Sequence, residues 1–121
     1  MSFTAAQRDE ARRALEDRAA QRLARREQRR ARIVAALPEA TRILRDEFGA
    51  SAAWLLGSLD MPWFDEQSDV DIVAAGLDRS RAGEAEHRLV RLFDARVDLL
   101  SFEELAVSFA DRVREEGRVM F

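Results

Sequence analysis

Hydrophobic and polar positions divide this chain into two unlike stretches. From Thr4 to about Ala36 there is neither glycine nor proline, and Ala, Arg, Glu and Gln dominate. That composition predicts one long helix. Its apolar stripe is narrow: Ala11, Leu15, Ala19 and Leu23 recur at every fourth position, and the stripe then fades into the arginine-rich run RREQRRAR at 25–32. Pro38 marks a break, because its ring is poorly tolerated in a helix interior but suits a first turn. A second helix, PEATRILRDEF, is expected to run to a C-capping Gly49, burying Ala40, Ile43, Leu44 and Phe48.

After Gly49 the pattern becomes strand-like. SAAWLLG at 51–57 is apolar through its middle, and DVDIVAAG at 69–76 is a second strand. DRSRAGEAEHRLVRLFD holds a third helix, with Ala82, Ala85, Leu89, Val90, Leu92 and Phe93 as its core face. ARVDLLS at 95–101 is a third strand. Ser101 with Glu104 reads as a capping box for a last helix carrying Leu105, Val107, Phe109 and Val113 and ending at Gly117. The order helix, helix, strand, strand, helix, strand, helix predicts an α/β (α+β) sandwich around a small sheet flanked by helices, with a long helix at its N-terminal side. No internal repeat or low-complexity linker interrupts it.

Composition refines this picture. A chain of 121 residues makes one domain, here an arginine-rich helical extension at 1–36 and a domain at 37–121. The absence of cysteine excludes a disulfide framework, a thiolate nucleophile and a Cys-based zinc site. The opening MSFTAAQRDEARR has no apolar core of a signal peptide, and no apolar run is long enough to span a bilayer. A cytoplasmic location and no membrane contact are therefore expected. All twenty basic residues are arginine, and they are unevenly spread. Residues 1–48 hold 12 Arg and 8 acids, residues 49–121 hold 8 Arg and 15 acids.

Within the second strand the anomaly is charge. Asp69 and Asp71 flank Val70 in an apolar run, and alternate strand positions share a face, so both carboxylates project together about 6–7 Å apart. Asp98 stands between Val97 and Leu99 in the third strand. If the two strands are neighbours at about 4.8 Å, three carboxylates converge. Such a group repels itself unless protonated or neutralised by a cation, and oxygen ligands without His or Cys favour Mg²⁺ or Mn²⁺ over zinc. A lone Asp-x-Asp is commonplace, as solvated loop residues or caps; its combination with Asp98 and the turn Gly57–Ser58 carries the signal. Glycine lets backbone approach a ligand, and exposed amides with a hydroxyl can cradle a phosphate.

Gly57–Ser58, ten residues, Asp69-x-Asp71 and a later strand aspartate at 98 together resemble the minimal nucleotidyltransferases of the DNA polymerase beta-like superfamily. The resemblance covers about residues 37–121, including VDLLSFEEL and EEGRVMF. It implies a polymerase-beta-like fold in which Gly57 and Ser58 hold the triphosphate of ATP. Asp69, Asp71 and Asp98 would bind two Mg²⁺ ions, with Asp98 helping to deprotonate the attacking hydroxyl. The chain departs from the family at 59–66, where LDMPWFDE stands in place of the usual arginine and glycine and adds three acids. Trp63 and Phe64 there would stack on a base, face a partner or fill the core. By the same resemblance, such domains accompany a helical HEPN-type ribonuclease toxin that they bind and, in some systems, adenylylate, which makes an antitoxin-like AMP transferase the leading expectation. The alternative is a non-catalytic module of the same fold that masks a partner; transfer to a small molecule ranks below both, since no second substrate-binding domain is present.

Arg18, Arg22, Arg26 and Arg30 stack at four-residue spacing, joined by Arg25 and Arg29. Like charges so placed destabilise an isolated helix by a few tenths of a kcal/mol per pair, roughly. Local pairs, Asp9 with Arg13 and Glu27 with Arg30, offset part of this. The remaining charge suits an acidic partner protein, with nucleic acid second because no aromatic interleaves the arginines. Homo- or hetero-oligomers both fit. His87 lies in a polar stretch of the third helix and carries no role.

Overall fold

Thr4 opens the first helix with the reciprocal bonds of a capping box. Its Oγ1 accepts from the Gln7 amide at 3.1 Å, and the Gln7 side chain accepts from the Thr4 amide at 2.8 Å. The structure, a computed structural model, describes residues 2–57 and 69–121. In it α1 runs unbroken from Ala5 to Arg42 and passes through Pro38. The expected break at Pro38 is not there. Leu37 and Ala40 on either side are buried, while the proline ring points to solvent. Packing on one face therefore holds the helix across the hydrogen bond that proline cannot make. A five-residue π-helical turn, Ile43–Glu47, continues the chain to Gly49, whose φ of 71° ends it in the left-handed region as the sequence predicts.

The two ends of α1 have different fates. Residues 2–25 are exposed throughout, including Leu15 (63 %) and Leu23 (51 %). From Arg29 onward one face is buried: Ile33, Leu37, Ala40, Ile43, Leu44 and Phe48 join a core with Ala85, Leu89 and Phe93 of α2 (Ala82–Phe93). Each such aliphatic side chain removed from water contributes about 1.5–3 kcal/mol. Polar bonds lock the same contact. Arg88 donates to the Glu47 carboxylate at 3.0 Å, Arg81 donates to the Glu47 carbonyl at 2.9 Å, and the Arg81 guanidinium lies 4.5 Å from the centre of the Phe48 ring.

Four strands form a mixed sheet in the order β3-β2-β1-β4: β1 (Ala52–Leu55), β2 (Val70–Ala75), β3 (Val97–Ser101) and β4 (Arg118–Val119). β1 pairs antiparallel with β2 and β4, whereas β2 and β3 are parallel, joined by α2 as the crossover. The sequence pattern did not disclose β4, which is only two residues long. Alternation sorts the side chains. Ala53, Leu55, Val70, Ile72, Ala74 and Val97 face the main core, and the Glu86 carboxylate of α2 accepts the Leu99 amide at 3.2 Å to pin the edge strand. Trp54, Val73, Asp71 and Asp98 face the other way.

Among the described residues, that second face is covered from the β1 end. α3 (Val107–Glu116) lays Ala110 and Val113 there, and Trp54 stacks on Phe102 at 5.1 Å between ring centroids. Gly117 follows α3 as its C-cap. A Cβ at that position would meet the Val113 carbonyl at 2.5 Å and the Trp54 Cβ at 3.1 Å, so glycine is what lets the helix end close on the sheet. The expected capping box at Ser101–Glu104 does not form. Ser101 caps nothing, and Phe102–Glu104 is a 3₁₀ turn. Both acids are engaged elsewhere: Glu103 accepts the Gly76 amide at 2.6 Å and Glu104 pairs with Arg79. α3 consequently starts at Val107, and Val107 and Phe109 are exposed rather than core.

Candidate active site

Asp71 and Asp98 are direct partners across the parallel β2–β3 pair. In-register residues of a parallel pair point to the same face, about 4.8 Å from strand to strand. Hydrophobic neighbours enforce the arrangement. Val70 and Val97, and Ile72 and Leu99, turn to the main core, which leaves the two aspartates on the opposite face of the sheet. Asp69 immediately precedes β2, and the Val70 amide donates to the Arg96 carbonyl at 2.8 Å, bringing the starts of both strands together.

The electrostatics follow from that geometry. Asp71 is half-buried, and its carboxyl is pushed above the usual carboxylate range. Desolvation is the main cause; the charges of Asp98 and then Asp69 add to it, with a side-chain hydrogen bond to Asp98. Asp98 is exposed. Asp69 has a cation beside it: Arg96 Nε lies 3.6 Å from its Oδ1. Among the described residues, no three Asp, Glu, His or Cys side chains form a ready-made metal cage. What exists is a facing carboxylate pair with a third acid one turn of the pleat away. Its self-repulsion and its all-oxygen composition fit a hard divalent cation, for which Asp69, Asp71 and Asp98 are the available ligands.

Gly57 directly follows Leu56, whose amide donates to the Asp71 carbonyl at 2.8 Å. Among the described residues, no atom beyond its chain neighbours lies within 4 Å of where a Cβ at Gly57 would be. Ser58 and the 59–66 segment, Trp63 and Phe64 included, lie outside the described residues. The structure thus places Asp69, Asp71, Asp98 and Gly57 at the same end of the sheet.

Two neighbours escaped the sequence reading. Arg96 is one, signalled only by a basic residue just before the third strand. The other is a cleft of about 330 Å³ lined by Leu56, Gly57, Phe109, Arg112, Val113 and Glu116. Its signal was the spacing of Phe109, Arg112, Val113 and Glu116, which share one face of a helix. On α1, Arg18 and Arg22 are exposed, whereas Arg26 and Arg30 sit at the base of the arm beside Glu27, whose carboxylate accepts from Arg30 at 3.0 and 3.1 Å. The expected Glu27–Arg30 pair is present. His87 is exposed on α2.

No protein-family model matches the sequence. No curated protein matches it either. Solved structures do match. A chain of the toxin–antitoxin complex MntA–HepT is 21 % identical, with a TM-score of 0.57 over 72 % of this chain and 70 % of that one. A toxin–antitoxin structure with AMP-PNP is 22 % identical, with a TM-score of 0.56 over 76 % and 72 %. A complex of tri-AMPylated Shewanella oneidensis HEPN toxin with MNT antitoxin is 21 % identical, with a TM-score of 0.51 over 79 % and 71 %. At such identities the likeness is one of architecture alone. The chain has the fold of a minimal nucleotidyltransferase.

Proposed function

We propose that this protein is a Mg²⁺-dependent nucleotidyltransferase that moves AMP from ATP onto a hydroxyl of a partner protein, as the antitoxin of a HEPN/MNT-type pair in the cytoplasm. The observation that carries the reading is the in-register Asp71–Asp98 pair with Asp69 beside it. It is supported by the fold likeness to a complex with AMP-PNP and to one with a tri-AMPylated toxin. No helix among the described residues is long and apolar enough to cross a membrane.

In this reading Asp69, Asp71 and Asp98 would hold two Mg²⁺ (or Mn²⁺) ions, and Gly57 with Ser58 would cradle the phosphates. The ions, when bound, neutralise the phosphate charge and polarise the α-phosphoryl group. The residues of the chain do the rest by position. Asp98, the more exposed of the facing pair, takes the proton of the acceptor hydroxyl as its oxygen bonds to the α-phosphorus and pyrophosphate departs. Burial of Asp71 lowers the dielectric around its carboxyl, where charge neutralisation counts for more. Arg18, Arg22, Arg26 and Arg30 of α1 would engage an acidic surface of the partner.

The test is incubation of the protein with labelled ATP, Mg²⁺ and the product of the neighbouring gene. Label should pass to the partner and be lost in Asp69→Asn/Asp71→Asn; absence of transfer, or transfer by that variant, refutes the assignment. The exposed basic arm favours a second reading, a partner-masking module without turnover. In that case binding is tight and indifferent to both ATP and Asp71→Asn.

A further inference from the structure

We infer that the cleft between the end of β1 and α3 is the nucleotide's seat, with Arg112 as the cation for its phosphates and Phe109 as the wall for its base. The inference rests on the nucleotidyltransferase reading and adds to it residues from an element that reading does not use. Three observations support it. Leu56 and Gly57 form the floor of this cleft, and the Leu56 amide is bonded to the backbone carbonyl of Asp71, so the cleft borders the strand position that carries that carboxylate. Leu56 continues the β1 register opposite Asp71, and α3 covers that same sheet face, which puts cleft and carboxylates on one side of the molecule. Finally, its opposite wall presents an aromatic ring, a guanidinium and a carboxylate from one face of α3.

The chemistry of each group then has a place. A triphosphate approaching Asp69, Asp71 and Asp98 meets three negative charges, and a guanidinium across the cleft offsets that repulsion with charge-assisted hydrogen bonds. Arg112 is exposed and held by Glu116 one helical turn on, at 3.6 Å, so it is placed over the cleft without being committed to a buried pair. Phe109 keeps 38 % of its surface exposed, although it lines the cleft beside the buried Val113. A part-exposed aromatic next to an arginine is suited to stacking on a base. Glu116 is the one carboxylate among the described lining residues, and it opposes anion binding.

Calorimetric titration of the full chain with ATP, adenosine and inorganic tripolyphosphate, in the presence of Mg²⁺, tests this. Arg112→Ala should weaken ATP and tripolyphosphate about tenfold or more and leave adenosine unchanged, with Arg112→Lys recovering part of the loss. Phe109→Ala should weaken ATP and adenosine and spare tripolyphosphate. Glu116→Gln should tighten ATP. These positions are on the outside of α3, and unchanged melting curves exclude misfolding as the cause. If the wild type binds ATP and Arg112→Ala binds it equally well, the cleft assignment is overturned while the nucleotidyltransferase reading stands. If the wild type binds no ATP with Mg²⁺, both fall.

Discussion

Asp71 illustrates how one residue can serve chemistry at the expense of the fold. Its carboxyl binds protons more readily in the folded chain than in the unfolded one. Between its ordinary value of 3.8 and the raised folded value, the native state therefore holds more protons, and stability falls as pH rises through that window. Above it the full cost of a charged Asp71 beside Asp98 remains. Asp71→Asn should thus raise the melting temperature at pH 7 by about 2–6 °C. At pH 3.5, where wild-type Asp71 is already protonated, that gain should largely vanish. Equal gains at both pH values would show that the repulsion is not its source. Divalent cations should stabilise the wild type at pH 7 and do so less in Asp71→Asn. The pair was legible in the sequence because alternation in two apolar strands leaves each aspartate a single face to occupy. The burial that shifts Asp71 was not legible, since it depends on which distant segments come to cover that carboxyl in the folded chain.

At the scale of elements, the contest is between local signals and packing. Pro38 and Ser101–Glu104 are strong local signals, and both are overridden: the first by a continuous buried face on α1, the second by the Trp54–Phe102 stack and the outside partners of Glu103 and Glu104. Sequence could not show these partners because they come from distant segments. Pro38 nonetheless leaves its mark. Pro38→Ala restores an intrahelical donor at an exposed position and should stabilise the protein by about 1–3 kcal/mol in urea unfolding. A neutral or destabilising result would mean that the helix needs the proline's geometry. Gly117 is the converse case, a small residue that a local rule places as a helix stop but that packing makes irreplaceable. Gly117→Ala should cost at least about 2 kcal/mol and loosen α3, seen as increased exposure in Trp54 fluorescence. The strands, α2 and the buried face at residues 40–48 follow their sequence patterns closely, since there local and long-range demands agree.

The whole molecule is a divided one. Residues 5–32 hold ten arginines and five acids, whereas residues 33–121 hold ten arginines and eighteen acids. The basic part also contributes least to the fold, because residues 2–25 are all exposed. Removing residues 2–20 should therefore shift the melting temperature by no more than about 2 °C, within what loss of exposed residues permits. If the arm is the partner's handle, the same truncation, which removes Arg18 but leaves Arg22, Arg26 and Arg30, should weaken partner capture in part and reduce its dependence on salt. A truncated protein that still binds at full strength would move the handle to the body.

The projecting arm has one more consequence. About twenty residues of helix without tertiary support are only marginally stable in water. They should exchange amide hydrogens within seconds while the sheet resists. Six arginines lie between residues 8 and 25, so each opening offers a ladder of cutting points to any protease that cleaves after arginine. A partner that clasps the arm would close that ladder. Survival of the molecule in the cell would then report how much of it is in company.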